Sequence, residues 1–116
     1  MLKQAASFLA VLAIGGCASV QIPPDSLQHS EASIRAAEEL GALGVPAARL
    51  HLQMAKDQTV VAKKLSANGD ERGLLVLARA ESDAELALAM AREASAHTDA
   101  LNAAEDLKAV HARGDR

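Results

Sequence analysis

Residues 74–113 contain neither proline nor glycine, and no other stretch of the sequence runs as long without them. Both residues disfavour helix interiors, so this stretch predicts one α-helix about 60 Å long, with Gly114 as its C-terminal cap. Small and apolar side chains recur along it at alternating steps of three and four residues: Leu77, Ala80, Ala84, Ala87, Ala91, Ala94, Thr98 and Leu101. This period of about 3.5 residues is typical of a seam along which helices pair. Residues 95–99 are a candidate break, because serine, threonine and aspartate can cap a helix as readily as continue it.

Two shorter helices are predicted before the long one. The first spans residues 26–40, with Asp25 as N-cap and Gln28 three residues later in a capping-box arrangement. A glycine-bearing turn at residues 41–45 ends it, and Pro46 begins a second helix that reaches about residue 67. The predicted buried face of this second helix consists of Ala48, Leu52, Ala55, Thr59, Ala62 and Leu65.

The second turn falls at residues 68–70. It predicts a left-handed residue at Asn68 or Gly69 and Asp70 as N-cap of the third helix. Because both turns are short, successive helices must run antiparallel, which predicts an all-α, up-down-up, three-helix arrangement. The two shorter helices can cover only the front twenty or so residues of the third, so we expect the rear of the third helix to overhang the bundle.

Alanine accounts for 27 of the 116 residues, and the single aromatic residue is Phe8. Because alanine buries little surface, the core must be thin and its helices must pack closely. The formal net charge is −3 at pH 7. An acidic chain with no aromatic residue after Phe8 lacks the basic and stacking surfaces of a nucleic-acid-binding protein, so no nucleic-acid partner is expected.

Residues 1–16 are typical of an export signal. Lys3 precedes an apolar run of about ten residues, which is too short to cross a bilayer because a spanning helix needs about twenty. Cys17 follows as the single cysteine of the chain, so it has no partner for an internal disulfide. Residues 17–24 then form a tether, residues 25–112 an alanine-rich helical domain, and residues 113–116 a C-terminal tail.

The tetrapeptide Ile14-Gly15-Gly16-Cys17 resembles the lipobox of bacterial lipoproteins. The resemblance implies that the lipoprotein signal peptidase recognises Ile14, Gly15 and Gly16, and that Cys17 becomes a mature N-terminus carrying a diacylglycerol and an N-acyl chain. The residues after Cys17 resemble those of Gram-negative lipoproteins sent to the outer membrane, which implies a lipid anchor on its periplasmic face. The alternative is an ordinary residue behind an ordinary signal, or an apolar run that forms a buried helix.

A wider resemblance covers about residues 23 to 94. The pattern looks like the bacterial family known as domain of unknown function 4398 and consists of Pro24-Asp25, Ala32, Ala36-Ala37, Gly41-Ala42, Pro46, Leu50, Gly69, Leu77-Ala78 and Asp83-Ala84-Glu85-Leu86-Ala87. Members are small exported, often lipidated, alanine-rich helical proteins, and some carry an OmpA-like peptidoglycan-binding domain. The sequence departs from them at Val45, where alanine is common. The family has no assigned catalytic residues, so the resemblance implies none here.

The titratable residues predict no catalytic or metal centre. The histidines at 29, 51, 97 and 111 fall on three helices with no pair three or four residues apart, so we interpret them as exposed helical side chains and expect no metal. Three acidic residues near position 83 are interpreted as a solvated face, in which Arg79 pairs with Asp83, or as a partner contact: Glu81, Asp83 and Glu85. Three lysines of the second helix are likewise interpreted as solvated: Lys56, Lys63 and Lys64. We expect neither an enzyme nor a cofactor.

The functional hypothesis is an outer-membrane-anchored periplasmic lipoprotein with a structural or adaptor role. Its partner would be a second copy or a helical envelope protein, for which the family resemblance suggests an OmpA-like protein. The alternative is a small-ligand or peptidoglycan-binding envelope module. The predicted partner-binding seam of the third helix consists of Ala84, Ala87, Ala91, Ala94, Thr98 and Leu101.

Overall fold

The computed structural model describes residues 21–114, which form three α-helices and one short 3-10 turn. Helix α1 spans Pro24–Glu39, α2 spans Pro46–Ala67 and α3 spans Arg72–Gly114, with the 3-10 turn at Ala42–Gly44. No strand occurs in this part of the chain. The all-α prediction is therefore confirmed, and the contacts are compatible with the up-down-up order, since α1 and α2 both pack along α3.

The start of α1 differs from the prediction. The helix begins at Pro24, and Pro23 occupies the N-cap position without a capping side chain. The predicted capping box of Asp25 and Gln28 is therefore wrong, because Asp25 already lies in the first helical turn. A proline fits the first helical position since that residue has no intrahelical acceptor for an N–H group in any case. Asp25 still favours the helix start through its negative charge.

Both predicted turns are present, each with one glycine in the left-handed region. Gly41 has a φ of 81° and Gly69 a φ of 73°. Asn68 keeps a negative φ, so of the two predicted candidates Gly69 takes the left-handed conformation. Asp70 lies two positions before α3, and its Oδ1 accepts the backbone N–H of Arg72, the first helical residue, at 3.0 Å, which is a capping hydrogen bond.

The core is a thin layer of small side chains between the three helices. Among residues 21–114, nine of the thirteen buried apolar residues are alanines, and the largest completely enclosed side chain is that of Leu52. The predicted face of α2 is buried from Ala48 to Ala62, while Leu65 is half-buried. Because these side chains are small, the helices approach closely, and their backbones contribute much of the contact surface.

A close approach between α2 and α3 occurs at Gly73, near the start of α3. A β-carbon on this buried glycine would lie 3.1 Å from both the carbonyl oxygen of Ala62 and the backbone nitrogen of Ser66. These are backbone atoms of α2 and cannot rotate away as a side chain can. The start of α3 therefore depends on glycine to pack against the end of α2.

The rear of α3 projects beyond the core. Ala91 is the last buried residue, Ala94 and Ser95 are half-buried, and all nineteen residues 96–114 are exposed. No break occurs at residues 95–99, where the hydroxyl of Thr98 donates to the carbonyl oxygen of Ala94 within a continuous helix. We call residues 96–114 the projecting arm. It extends about 28 Å past the bundle.

Candidate functional site

The residues predicted for lipidation lie outside the described part of the chain. Cys17 and the signal-peptidase residues Ile14, Gly15 and Gly16 all precede residue 21. Lipid attachment and outer-membrane localisation therefore stay predictions from the sequence. Among residues 21–114, no helix has the length and apolar character needed to cross a membrane.

The structure divides the predicted partner-binding seam into two halves. Ala84, Ala87 and Ala91 have no exposed surface, because they pack against the chain's own α1 and α2. They have no surface for a partner to contact, so the prediction that these three residues bind a partner is wrong. The remaining half comprises Ala94, which is half-buried, and the exposed Thr98 and Leu101. A regular spacing identifies a common helix face but not what covers that face.

A shallow groove lies where the projecting arm leaves the bundle. Its apolar wall combines the start of α2 with the middle of α3, and its rim is polar. We call it the basal groove, and it is lined by Val45, Ala47, Met90, Glu93, Ala94, His97 and Thr98. Two residues of the predicted seam, the half-buried Ala94 and the exposed Thr98, therefore lie in a concave surface. Leu101, 54% exposed, is one turn beyond Thr98 on the same side of the helix.

The arm carries a second apolar stripe that the sequence interpretation missed. Its members alternate by four and three residues and are exposed: Ala96, Ala100, Ala103, Leu107 and Val110. At 100° per residue, this stripe lies roughly opposite the side that carries Ala94 and Leu101. The three-four alternation was the available signal, although three of the five members are alanine. The arm thus presents apolar side chains on two sides.

Two carboxylates of α3 face a histidine of α1 instead of solvent alone. His29 Nε2 lies 3.0 Å from Glu85 Oε1 and 3.8 Å from Glu81 Oε1. The hydrogen bond to Glu85 is the largest cause of a raised pKa of His29. Desolvation opposes it, and the negative charges of Glu81 and then Glu85 raise the pKa further. His29 is exposed as predicted, but its carboxylate neighbours come from another helix. Sequence spacing could not show this.

A second polar cluster joins α2 to α3. Asp83 Oδ1 lies 2.8 Å from His51 Nδ1, and Asp83 Oδ2 accepts a 2.9 Å hydrogen bond from Gln58 Nε2. The predicted pairing of Asp83 with Arg79 is wrong, because the carboxylate turns inward and is only 16% exposed. His51 is half-buried, not exposed. Gln58 Oε1 is buried with no hydrogen-bond partner among residues 21–114, so this contact is not fully satisfied.

Two of the three lysines predicted to be solvated keep solvent exposure and also pair with acids of α1. Lys63 Nζ contacts Glu31 Oε1 at 2.5 Å, and Lys56 pairs with Glu38. Lys64 remains exposed. These pairs align α1 with α2, but each side chain is at least a third exposed, so each pair contributes little to stability.

Comparisons with known proteins do not identify a relative. The chain matches no family model, no curated protein and no solved structure. Membership of the family known as domain of unknown function 4398 therefore stays a prediction from the sequence.

Proposed function

We propose that this protein is a periplasmic lipoprotein, held at the outer membrane through Cys17, that acts as a structural or adaptor element by helix association. The observation that carries the proposal is the projecting arm, in which nineteen consecutive helical residues have no contact that buries them. In proteins most helical stability comes from the packing of one helix face, and the arm has no such packing within the chain. A partner helix would stabilise the arm and give it a role.

The basal groove is the proposed start of that contact. Its wall of Val45, Ala47, Met90 and Ala94 is apolar, and Leu101 extends the same side along the arm. Small side chains here would allow a partner helix to approach closely, as alanine does within the bundle. The partner chemistry that fits is another α-helix with small residues on one face.

A second copy of the chain meets this description. The arm contains three acidic residues, Asp99, Glu105 and Asp106, and two basic ones, Lys108 and Arg113, which gives a net charge of −1 with histidine neutral. Two arms would therefore repel each other only weakly, and the screening of exposed charges at physiological salt reduces this further. A helical envelope protein, of which the family resemblance makes an OmpA-like protein the first candidate, is the other proposed partner.

The proposed anchor keeps the helical domain near the membrane. Residues 17–23 would separate the lipidated Cys17 from α1, and seven extended residues span at most about 25 Å. More than one acyl chain gives stable attachment where a single chain gives marginal binding. The anchor would thus set the location, and the arm would set the contacts.

Association is tested by placing charge on the exposed part of the seam. The double change Ala94→Glu with Leu101→Glu should abolish self-association and crosslinking to a partner, because two carboxylates would have to be desolvated at the contact. Leu75→Glu is the matched control, since Leu75 is 68% exposed on the front of α3. Sedimentation and crosslinking of the lipidated protein measure the result. An unchanged monomer in all three proteins, with no captured partner, would contradict the helix-association role.

The anchor is tested independently by mass spectrometry of the protein isolated from membranes. We expect an N-terminal peptide that begins at Cys17 and carries the mass of the acyl groups, and Cys17→Ser should release the protein from the membrane fraction. An unmodified thiol at Cys17 would contradict the lipid anchor without affecting the helix-association test.

Binding to isolated peptidoglycan separates the proposal from its alternative. A small-ligand or wall-binding module would sediment with peptidoglycan, whereas an adaptor that acts only through helices would stay in solution. None of the described residues is aromatic, so the grooves lack the rings that commonly line sugar-binding and small-molecule sites. Saturable sedimentation would favour the alternative.

A further inference from the structure

Three metal-ligating side chains converge across the contact between α1 and α3. His29 comes from α1, and Glu81 and Glu85 are four residues apart on α3, which places them on one face of that helix. One ligand atom from each side chain lies within 4.8 Å of the others. The side chains are 54%, 33% and 59% exposed for His29, Glu81 and Glu85, so an ion could enter from solvent.

Two of the three separations are close to those of ligands around a small tetrahedral ion. With bonds of 2.0–2.1 Å, two ligands of a tetrahedral zinc ion lie about 3.4 Å apart. The distances from His29 Nε2 to the two carboxylates, 3.0 and 3.8 Å, lie on either side of that value. The two carboxylate oxygens lie within 4.8 Å of each other, so side-chain rotation at Glu81 or Glu85 would have to complete the site.

The mixed donor set selects the kind of ion. Magnesium and calcium prefer sites made only of oxygen ligands, whereas an imidazole nitrogen favours zinc and the neighbouring transition metals. Three protein ligands leave a fourth position for water, which is an open coordination and not the closed four-ligand arrangement of structural zinc sites.

We propose that His29, Glu81 and Glu85 form a binding site for a divalent transition metal ion, represented by Zn²⁺, that links α1 to α3. The ion would replace the hydrogen bond between His29 and Glu85 with coordination to both helices. It would also neutralise two carboxylates that lie close together. This site is independent of the proposed lipid anchor and of the proposed contacts of the arm.

The experiment is a calorimetric titration of the full-length protein in detergent with ZnCl₂, together with NMR of the histidine rings. The titration should show one ion per chain, and NMR should show a shift of the His29 ring signals. Zinc should also raise the midpoint temperature of thermal unfolding. His29→Ala should weaken binding more than tenfold, as should the charge-neutral double change Glu81→Gln with Glu85→Gln. The matched control is His97→Ala, because His97 is an exposed histidine on the same protein away from the site.

The outcomes separate the site from general metal binding. Helical circular dichroism of each variant without zinc shows that the fold is intact, and the double glutamine variant retains the shape of the site without its charge. Equal zinc binding by the wild type and by His29→Ala would overturn the proposal, as would magnesium competing at similar concentrations. Loss of binding in His97→Ala alone would also overturn it, because the ion would then lie at the basal groove.

Discussion

Close contact between helices makes single positions sensitive to added volume, and Gly73 is the clearest case. The backbone of α2 lies 3.1 Å from the place where its β-carbon would be. In a free helix, replacing glycine by another residue would be favourable. Here the added atoms meet backbone atoms, which cannot repack by changing rotamer.

We therefore expect Gly73→Val to reduce the free energy of unfolding by about 1–3 kcal/mol, the usual effect of overpacking. Ala78→Val introduces the same side chain at an exposed position of α3 and serves as the control. Chemical denaturation of both variants measures the difference. Equal stability of the two would mean that α3 can shift away from α2 without loss.

Asp83 accepts hydrogen bonds from two side chains of α2, so its removal affects more than one group. Asp83→Ala would leave His51 and Gln58 without their acceptor in a partly buried place. Unpaired polar groups of this kind cost about 1–3 kcal/mol. Denaturant unfolding should show that loss, while Asp99→Ala on the exposed arm should leave the midpoint nearly unchanged.

His29 gives a pH-dependent contribution whose sign follows from its raised pKa. The folded chain holds this proton more tightly than the unfolded chain, whose pKa is near the ordinary value of 6.5. The contribution to stability is therefore fully present below about that pH and is lost as the pH rises through the raised pKa. NMR titration should show the pKa of His29 falling in Glu85→Gln and staying raised in Glu105→Gln. No change in Glu85→Gln would exclude this hydrogen bond as the main cause.

At the scale of helices, the spacing of apolar residues predicted which residues share a side, and it was more informative than the type of any single residue. The three-four alternation correctly gave the buried residues of α2 from Ala48 to Ala62. On α3 it identified a common helix face, but that face is buried up to Ala91 by the chain's own helices and not by a partner. The start of α1 could not be predicted as well, because Asp25 and Pro24 are both good helix-start residues and proline occupies the earlier position. Side-chain pairs between different helices were the feature that the sequence predicted least well. Both Arg79 and His51 can pair with Asp83, and only packing decides between them.

The arm should be separable from the bundle because it contributes no buried residue. A chain ending at Ser95 should keep its free energy of unfolding within about 0.5 kcal/mol, the range of surface changes. Ending the chain at Asp83 should abolish cooperative unfolding, since it removes Ala84, Ala87, Leu88 and Ala91 from the core. Thermal unfolding followed by circular dichroism distinguishes the two. A large loss in the longer chain would show that the arm stabilises the bundle.

At the scale of the whole molecule, the packed core and the projecting arm are stabilised in different ways. The core depends on the close packing of small side chains, whereas the projecting arm keeps its shape through its helical backbone alone. The candidate metal site lies on neither, because it forms only where the surfaces of α1 and α3 meet. No local motif marks His29 and the two glutamates in the sequence, since 52 positions separate His29 from Glu81.

The unbroken course of α3 also has a mechanical consequence. Because one continuous helix runs from the packed front to the free end, any rotation at the front is transmitted along its axis. A tilt of 10° would move the far tip by about 5 Å over an arm of about 28 Å. A small change in the angle at which α3 packs on α1 and α2 would thus displace residue 114 by several ångströms.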